Sequence, residues 1–229
     1  MEQMHPYIYL ASQSPRRQEL LQQIGVRFEL LLSESDDDAE SLDAEIDDES
    51  PLNYVKRVTL AKLEAAHQRL KRRKLVWAPI LCADTTVAVS INGKESILGK
   101  PIDHEDAHRI LHLLSGSTHQ VHTAVALLNQ TSVTELGEIS DRESVDSSPL
   151  LLVSSSQLTF KMLSESLISS YVASSEPFGK AGAYGIQGLA ACFIENIQGS
   201  FSGIMGLPLF ETAQLLQASD VQFDLNTSR

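Results

Sequence analysis

The chain has 229 residues, 42% of them hydrophobic, and 18 Lys or Arg against 30 Asp or Glu give a formal net charge of -12 and a pI near 4.9. That length allows one large α/β domain or two small ones, and the apolar content fills a normal core. The acidic balance excludes binding to duplex nucleic acid through a broad basic face, which rests on many phosphate contacts, so any anionic ligand must be small and held locally.

The N-terminal "MEQMHPYIYLA" lacks a basic leader followed by a long apolar stretch, and nowhere do 18 apolar residues run together, so a cytoplasmic protein with no membrane partner is expected. "YIYLA" (7–11) predicts a strand. Ser14 and Pro15 then supply the N-cap and first residue of a helix over 15–24, which Gly25 ends. Leu20, Leu21 and Ile24 give it an apolar stripe, and Arg16 and Arg17 fall in its first turn, where cations oppose the helix dipole. Free backbone N–H groups and two guanidiniums belong together if an anion sits there. A capped surface helix with solvated arginines satisfies the same spacing.

"VRFELLL" begins as a strand and runs into ten Asp or Glu between Glu34 and Glu49, read as solvated loop charge. Ser50 and Pro51 open a second helix, 51 to about 74, with Leu52, Val55, Val58 and Ala61 at core spacing. "LVWAPILCAD" predicts a buried strand ending at Asp84, where a carboxylate can project into a cleft or simply start a turn. A hairpin on Asn92-Gly93 follows. Residues 103–115 form a helix with Ala107, Ile110, Leu111 and Leu114 inward, and "HQVHTAVALL" is the next strand. The polar segment 129–149 reads as a surface excursion, mobile or a marginal hairpin. "LLLVSSSQLTF" predicts a strand and "SESLISSYVASS" a helix. "EPFGKAGAYGIQG" is a glycine-rich loop carrying Lys180 and Gln187, and "LAACFIENIQG" and "LPLFETAQLLQA" supply the last strand and helix. Cys82 and Cys192, both within apolar runs, are expected to be buried in a reducing compartment.

"HEDAH" (104–108) matches H-E-x-x-H, the helical zinc signature that by itself suggests a metalloprotease. Against it, Asp103 is a natural N-cap that leaves His104 in the first turn, and the glycine and third histidine of the extended form are missing. With His112 continuing the i, i+4 row, these histidines read as a solvated helix face with incidental metal affinity.

"SQSPRR", "YVKRVTLAKLEAA", "CADTTV", "GKP", "LSGSTHQVHTAVAL", "GKAGAYGIQG" and "GSFSGIMGLPL" follow one another in the order and spacing of the Maf-like nucleoside triphosphate pyrophosphatases, which the chain resembles over about residues 7–217. The resemblance implies an inosine triphosphatase-like α/β fold in a single domain, a long twisted mixed sheet flanked by helices, with a cleft between two lobes. It implies hydrolysis of a nucleoside triphosphate to monophosphate and pyrophosphate with a divalent cofactor, Mg²⁺ or Mn²⁺. The family's phosphate-binding turn falls on Ser12, Ser14, Arg16 and Arg17, its lysines on Lys62, Lys100 and Lys180, its acid on Asp84 and its glutamine on Gln187. Of these, Asp84, Lys100, Gln187 and Arg16 are implied in catalysis, and Asp84 in holding the metal. Where many members have a Glu in the following acidic stretch, this chain offers Asp36 and Asp37, and Asp37 aligns better as a second metal ligand. "GKAGAYGIQG" is the form found in the branch that resembles dTTP and UTP hydrolases, with backbone at Gly179, Gly182, Gly185 and Gly188 open to a ligand. A homodimer and a non-catalytic nucleotide-binding regulator of cell division stay open, the latter disfavoured because Asp84, Lys100 and Gln187 are all present.

Overall fold

The computed structural model describes residues 4–33, 41–129, 131–132, 145–146 and 148–224. The N-terminal apolar run forms strand β1 (Ile8–Leu10), and the Ser-Pro turn starts helix α1 (Pro15–Gln23), which leads to β2 (Phe28–Leu30). A 3-10 turn at Ser41–Asp43 precedes the long helix α2 (Pro51–Arg72), capped by Ser50 through a bond from the Asn53 amide. β3 (Ile80–Ile91) and β4 (Lys94–Leu98) form a hairpin across Asn92 and Gly93, whose φ angles of 53° and 80° suit the expected type I′ turn. α3 (His104–Leu114), with Asp103 as N-cap, and β5 (Thr118–Leu128) follow. β6 (Thr131–Ser132) and β7 (Val145–Asp146) pair with each other as a separate two-stranded antiparallel sheet. β8 (Leu150–Phe160) and α4 (Glu165–Ala173) lead into the glycine-rich loop, which holds a 3-10 turn at Ala181–Ala183. After a second 3-10 segment at Leu189–Phe193 come β9 (Ile194–Gln198), α5 (Phe201–Met205) and α6 (Leu209–Ala218).

Seven strands form the main sheet in the order β2-β1-β3-β5-β8-β9, with β4 also on β3. β1 pairs in parallel with β2 and β3, and every other pairing is antiparallel. This is the expected mixed α/β sheet. No helix among the described residues is long and apolar enough to cross a membrane.

Side chains alternate across a strand, and the core follows that period. Leu81, Ala83, Val125 and Leu127 pack with Leu21 of α1 and Leu216 of α6 on one face. Ile80, Cys82, Ala126 and Leu128 pack with Leu63 and Leu70 of α2 on the other. At the far half of β3, Val87 and Val89 join Ile110 and Leu114 of α3, Ile168 of α4 and Phe160 in a third cluster. In α2 the buried stripe is Val55, Val58, Leu63 and Leu70, whereas Leu52 faces solvent.

Asp84 does not end a strand: β5 pairs with β3 without a break from Ile80 to Ala88, so the chain runs straight through. What changes at Asp84 is the opposite edge. Leu189–Phe193, expected as strand, coils as 3-10 helix, and this turns Cys192 outward to solvent while Cys82 is buried as expected.

His119 on β5 is buried, with Nε2 2.9 Å from the Tyr184 hydroxyl and its ring edge-on to Phe160. Burial pushes its imidazole down to about 4 from an ordinary 6.5. Below pH 6.5 the unfolded chain therefore takes up a proton that the folded chain refuses until about pH 4, and stability falls by about 3 kcal/mol across that window. His122, also lowered by burial, adds in the same direction, so the test is a difference. Urea midpoints at pH 7 and pH 4.5 should move less for His119→Gln than for the wild type; equal movement would refute this assignment.

Candidate active site

β1 pairs with β3 as far as Leu81, and β4 takes up the same edge from Val87. Between them β3 has no strand neighbour on that side among the described residues, and a cleft of about 610 Å³ opens into the fork. By the strand period Asp84 and Thr85, at the base of the fork, look to opposite faces: Asp84 toward α2, Thr85 toward α1.

On the α1 side the cleft is cationic. Ser14 caps no amide of α1 through its side chain, unlike Ser50, Asp103 and Ser164, which each cap their helices. The helix therefore presents unpaired N–H groups and the positive end of its dipole. Arg17 fans across three elements: Nε donates to the Gly206 carbonyl at 2.7 Å, Nη1 to Ser12 Oγ at 3.2 Å and Nη2 to Thr85 Oγ1 at 3.4 Å. A guanidinium has five N–H bonds, so two remain for a ligand. Arg16 Nε donates to the Met205 carbonyl at 3.3 Å. Burial first, and then the neighbouring Arg17 charge, lower the Arg16 pKa. Lys180 is lowered likewise, by burial and then by Arg16. Among the described residues no carboxylate lies in ion-pair contact with these three cations, which repel one another; an anion between them removes that cost.

Across the cleft the arrangement is reversed. Lys62 Nζ lies 2.6 Å from Asp43 Oδ1 and 2.8 Å from Asp84 Oδ1, and Lys100 Nζ lies 3.9 Å from Asp43. Burial pulls the Lys62 pKa down, but attraction to Asp84, the hydrogen bond that Lys62 donates to it and the close Asp43 carboxylate outweigh it, so the net shift is upward and the ammonium persists. Asp84 takes a directed hydrogen bond, whereas the buried Asp43 Oδ1, though within ion-pair distance, lies off hydrogen-bonding geometry. Two carboxylates held around one point supply hard oxygen donors of the kind that fit a Mg²⁺ or Mn²⁺ ion shared with substrate oxygens.

The glycine-rich loop closes the third wall. Gly182, at φ 70°, donates its N–H to the Gly99 carbonyl at 3.0 Å, which holds the Lys100 turn against the loop. A Cβ there would lie 2.8 Å from Val87, so only glycine seats the loop on β3. A Cβ on Gly188 would strike the Glu176 carboxylate, whose Oε2 accepts the Leu189 N–H at 2.9 Å while Oε1 accepts the Tyr171 hydroxyl at 3.0 Å. Lys180 Nζ donates to the Glu176 carbonyl, and its methylenes run past Gly185. Of the four glycines read as open to a ligand, only Gly179 and Gly185 line the cleft.

Ser12, Ser14, Arg16, Arg17, Lys62, Asp84, Lys100, Lys180 and Gln187 all line this one cleft. Asp36 and Asp37 lie outside the described residues. Two participants escaped the sequence reading. Asp43 is one of ten acids in a stretch with no internal signal to single it out. Thr85 is marked only by its place beside Asp84.

Comparison with known proteins gives a family match, described as Maf-like protein, over residues 7–219. The dTTP/UTP pyrophosphatase of Albidiferax ferrireducens is 54% identical over 215 residues, 94% of this chain and 98% of that protein. Those of Ralstonia nicotianae, 54% identical over 93% of each chain, and Cupriavidus pinatubonensis, 51% identical over 96% of this chain and all of that one, are similar along the same span.

The fan of Arg17 ties α1 to β3 and to the turn after α5, so Arg17→Lys should cost stability even without ligand. A lysine cannot reach three acceptors with one planar fork, and losing two hydrogen bonds at ~0.5–1.5 kcal/mol each predicts a drop of about 1–3 kcal/mol. Arg16→Lys, which gives up one long bond, should change urea stability by less than half as much. Equal losses for the two variants would show that the fan does not brace the fork.

Proposed function

The chain belongs to the Maf-like family, and on that premise we propose that its forked cleft binds a nucleoside triphosphate and hydrolyses it to the monophosphate and pyrophosphate, with dTTP and UTP preferred. The observation that carries this reading is the opposition, across one cleft, of an uncapped helix N-terminus with three unpaired cations and a carboxylate pair around Lys62.

The phosphate chain lies against the α1 N–H groups, Arg16, Arg17 and Lys180, which neutralise charge on its non-bridging oxygens. Water forms a new bond to phosphorus as the bridging bond between the α- and β-phosphates breaks, pyrophosphate leaves with the bonding pair, and the water's protons pass to solvent or to a phosphate oxygen. Asp84, fixed by Lys62, orients that water, and Lys100 and Gln187 face the departing charge from the loop side. Asp84 and Asp43 are the side chains that would hold a Mg²⁺ or Mn²⁺ ion, whose chemistry there is to draw charge from phosphate oxygens and lower the barrier to attack. Asp37 is a further candidate ligand from the acidic stretch. Residues Tyr184 to Gln187 line the cleft, and in this reading the base lies against their backbone, whose N–H and C=O groups would pair with the O4 and N3–H edge of uracil or thymine. Polar groups left unpaired by the wrong base cost ~1–3 kcal/mol each, enough for roughly hundredfold discrimination from two contacts.

Purified protein assayed with dTTP, UTP, CTP, ATP and GTP should release pyrophosphate from the first two in clear preference. CTP is the strictest control, because its N4 amine donates where O4 accepts. Equal turnover of CTP and UTP would remove the base preference, and release of single phosphates would remove the proposed reaction. Arg16→Ala should lower kcat/KM by roughly ten- to hundredfold, from loss of a charge-assisted contact of ~1.5–3 kcal/mol. Asp84→Asn and chelation by EDTA should each abolish turnover with the fold intact by circular dichroism. Full activity in EDTA would show that the carboxylates act without a metal.

A further inference from the structure

The histidine row on α3 is not accounted for by the cleft. Ala107, Ile110, Leu111 and Leu114 turn into the core and leave His104, His108 and His112 on the outer side of the helix. His104 does not join the other two: its ring packs on Phe178, with centroids 4.9 Å apart. The H-E-x-x-H motif is thus not what assembles. Instead His108 and His112, one turn apart, converge on a residue of the neighbouring helix. His108 Nδ1 lies 3.6 Å from one carboxylate oxygen of Glu165, and His112 Nε2 lies 2.9 Å from the other.

We propose that His108, His112 and Glu165 form a second metal site, on the outer surface, for a divalent transition metal of the Zn²⁺ type. One donor atom from each side chain lies within 4.8 Å of the other two, and this is the one such group of three found among the described residues. Four ligands at about 2.0–2.1 Å in a tetrahedron stand about 3.3–3.4 Å apart, so small side-chain rotations bring these donors to bonding distance. Two imidazole nitrogens and one carboxylate oxygen match Zn²⁺, Ni²⁺ or Co²⁺, whereas Mg²⁺ prefers an all-oxygen octahedron. A single histidine would suffice to pair Glu165 at the start of α4; the second brings to three the donor atoms gathered within reach of one point. The side chains keep 28%, 52% and 67% of their exposure, so an ion can enter and a water can take the fourth position. Bound there, the ion ties α3 to α4. α4 runs directly into the loop that carries Lys180 and Gln187, and α3 packs against the turn at Ala181–Ala183. The site therefore braces the support of the glycine-rich wall while taking no part in chemistry.

The intact chain, stripped of metal and titrated with Zn²⁺ by calorimetry in millimolar Mg²⁺, should take up one Zn²⁺ that His108→Gln/His112→Gln no longer binds. Glu165→Gln should weaken this uptake by at least about tenfold, the lower end of the loss caused even by partners that only orient a ligand. His104→Gln and Asp84→Asn should leave it unchanged, which separates the site from the sequence motif and from the cleft carboxylates. Zn²⁺ should raise the thermal midpoint of the wild type and not of the double variant, and Co²⁺ should give a visible absorption band that the double variant lacks. Undiminished one-equivalent Zn²⁺ uptake by the double variant, or no saturable uptake by the wild type, would overturn the proposal.

Discussion

One edge of β3 must serve two partners. β1 follows it only to Leu81 and β4 only from Val87, because β1 is three residues long and β4 is drawn back by a two-residue hairpin. The unpaired stretch between them sits in the middle of the sheet, where both faces are covered by helices. Side chains from the surrounding walls project into the fork. The strand period then distributes chemistry without further instruction: Asp84 points to the α2 face and meets Lys62, and Thr85 points to the α1 face and meets Arg17. A single alternation, laid across a divided edge, places a carboxylate and a guanidinium on opposite walls of one cleft.

The electrostatics of the cleft invert those of the whole molecule. A chain of net charge -12 repels polyanions at long range, and its acidic stretch adds to that field. Inside the fork, Arg16, Arg17 and Lys180 stand close enough that Arg16 depresses Lys180 and Arg17 depresses Arg16. The local positive potential is built from half-buried groups, which salt screens less than it does open surface charges. The opposite wall shows the complementary device, a lysine whose charge is preserved by the carboxylates around it.

What was legible in the sequence is what depends on neighbours in the chain. The Ser-Pro turn is read correctly as the start of a helix, because Pro15 at its first position acts within one helical turn, but the side-chain cap expected of Ser14 does not form. Asn92-Gly93 reads correctly because a type I′ turn needs left-handed backbone at both positions. Asp84 was placed at a strand end when it lies in mid-strand, since a strand that changes partner on one edge keeps the same residue pattern. Asp43 was invisible because its distinction is the Lys62 ammonium, nineteen positions away in number and brought close only by α2 packing. Gly182 and Gly188 looked like ligand-facing glycines but make room for Val87 and Glu176, a matter of tertiary fit. Leu189–Phe193 has the composition of a strand, and apolar runs of that length do not separate strand from 3-10 helix.

The unfinished start of α1 has a consequence for how this protein can be improved. Without a ligand the helix lacks a side-chain cap and two arginines crowd its positive end, so the free protein carries a cost that an ordinary cap and neutral residues would remove. In the proposed function that cost is met on folding and not again on binding, because the groups are already in place for the triphosphate. Substitutions that most easily harden the apo fold therefore fall on the residues that make the cleft useful. Engineering for heat resistance should leave this turn alone and seek its gains among the members of the third core cluster that do not line the cleft, such as Ile110, Leu114 and Ile168.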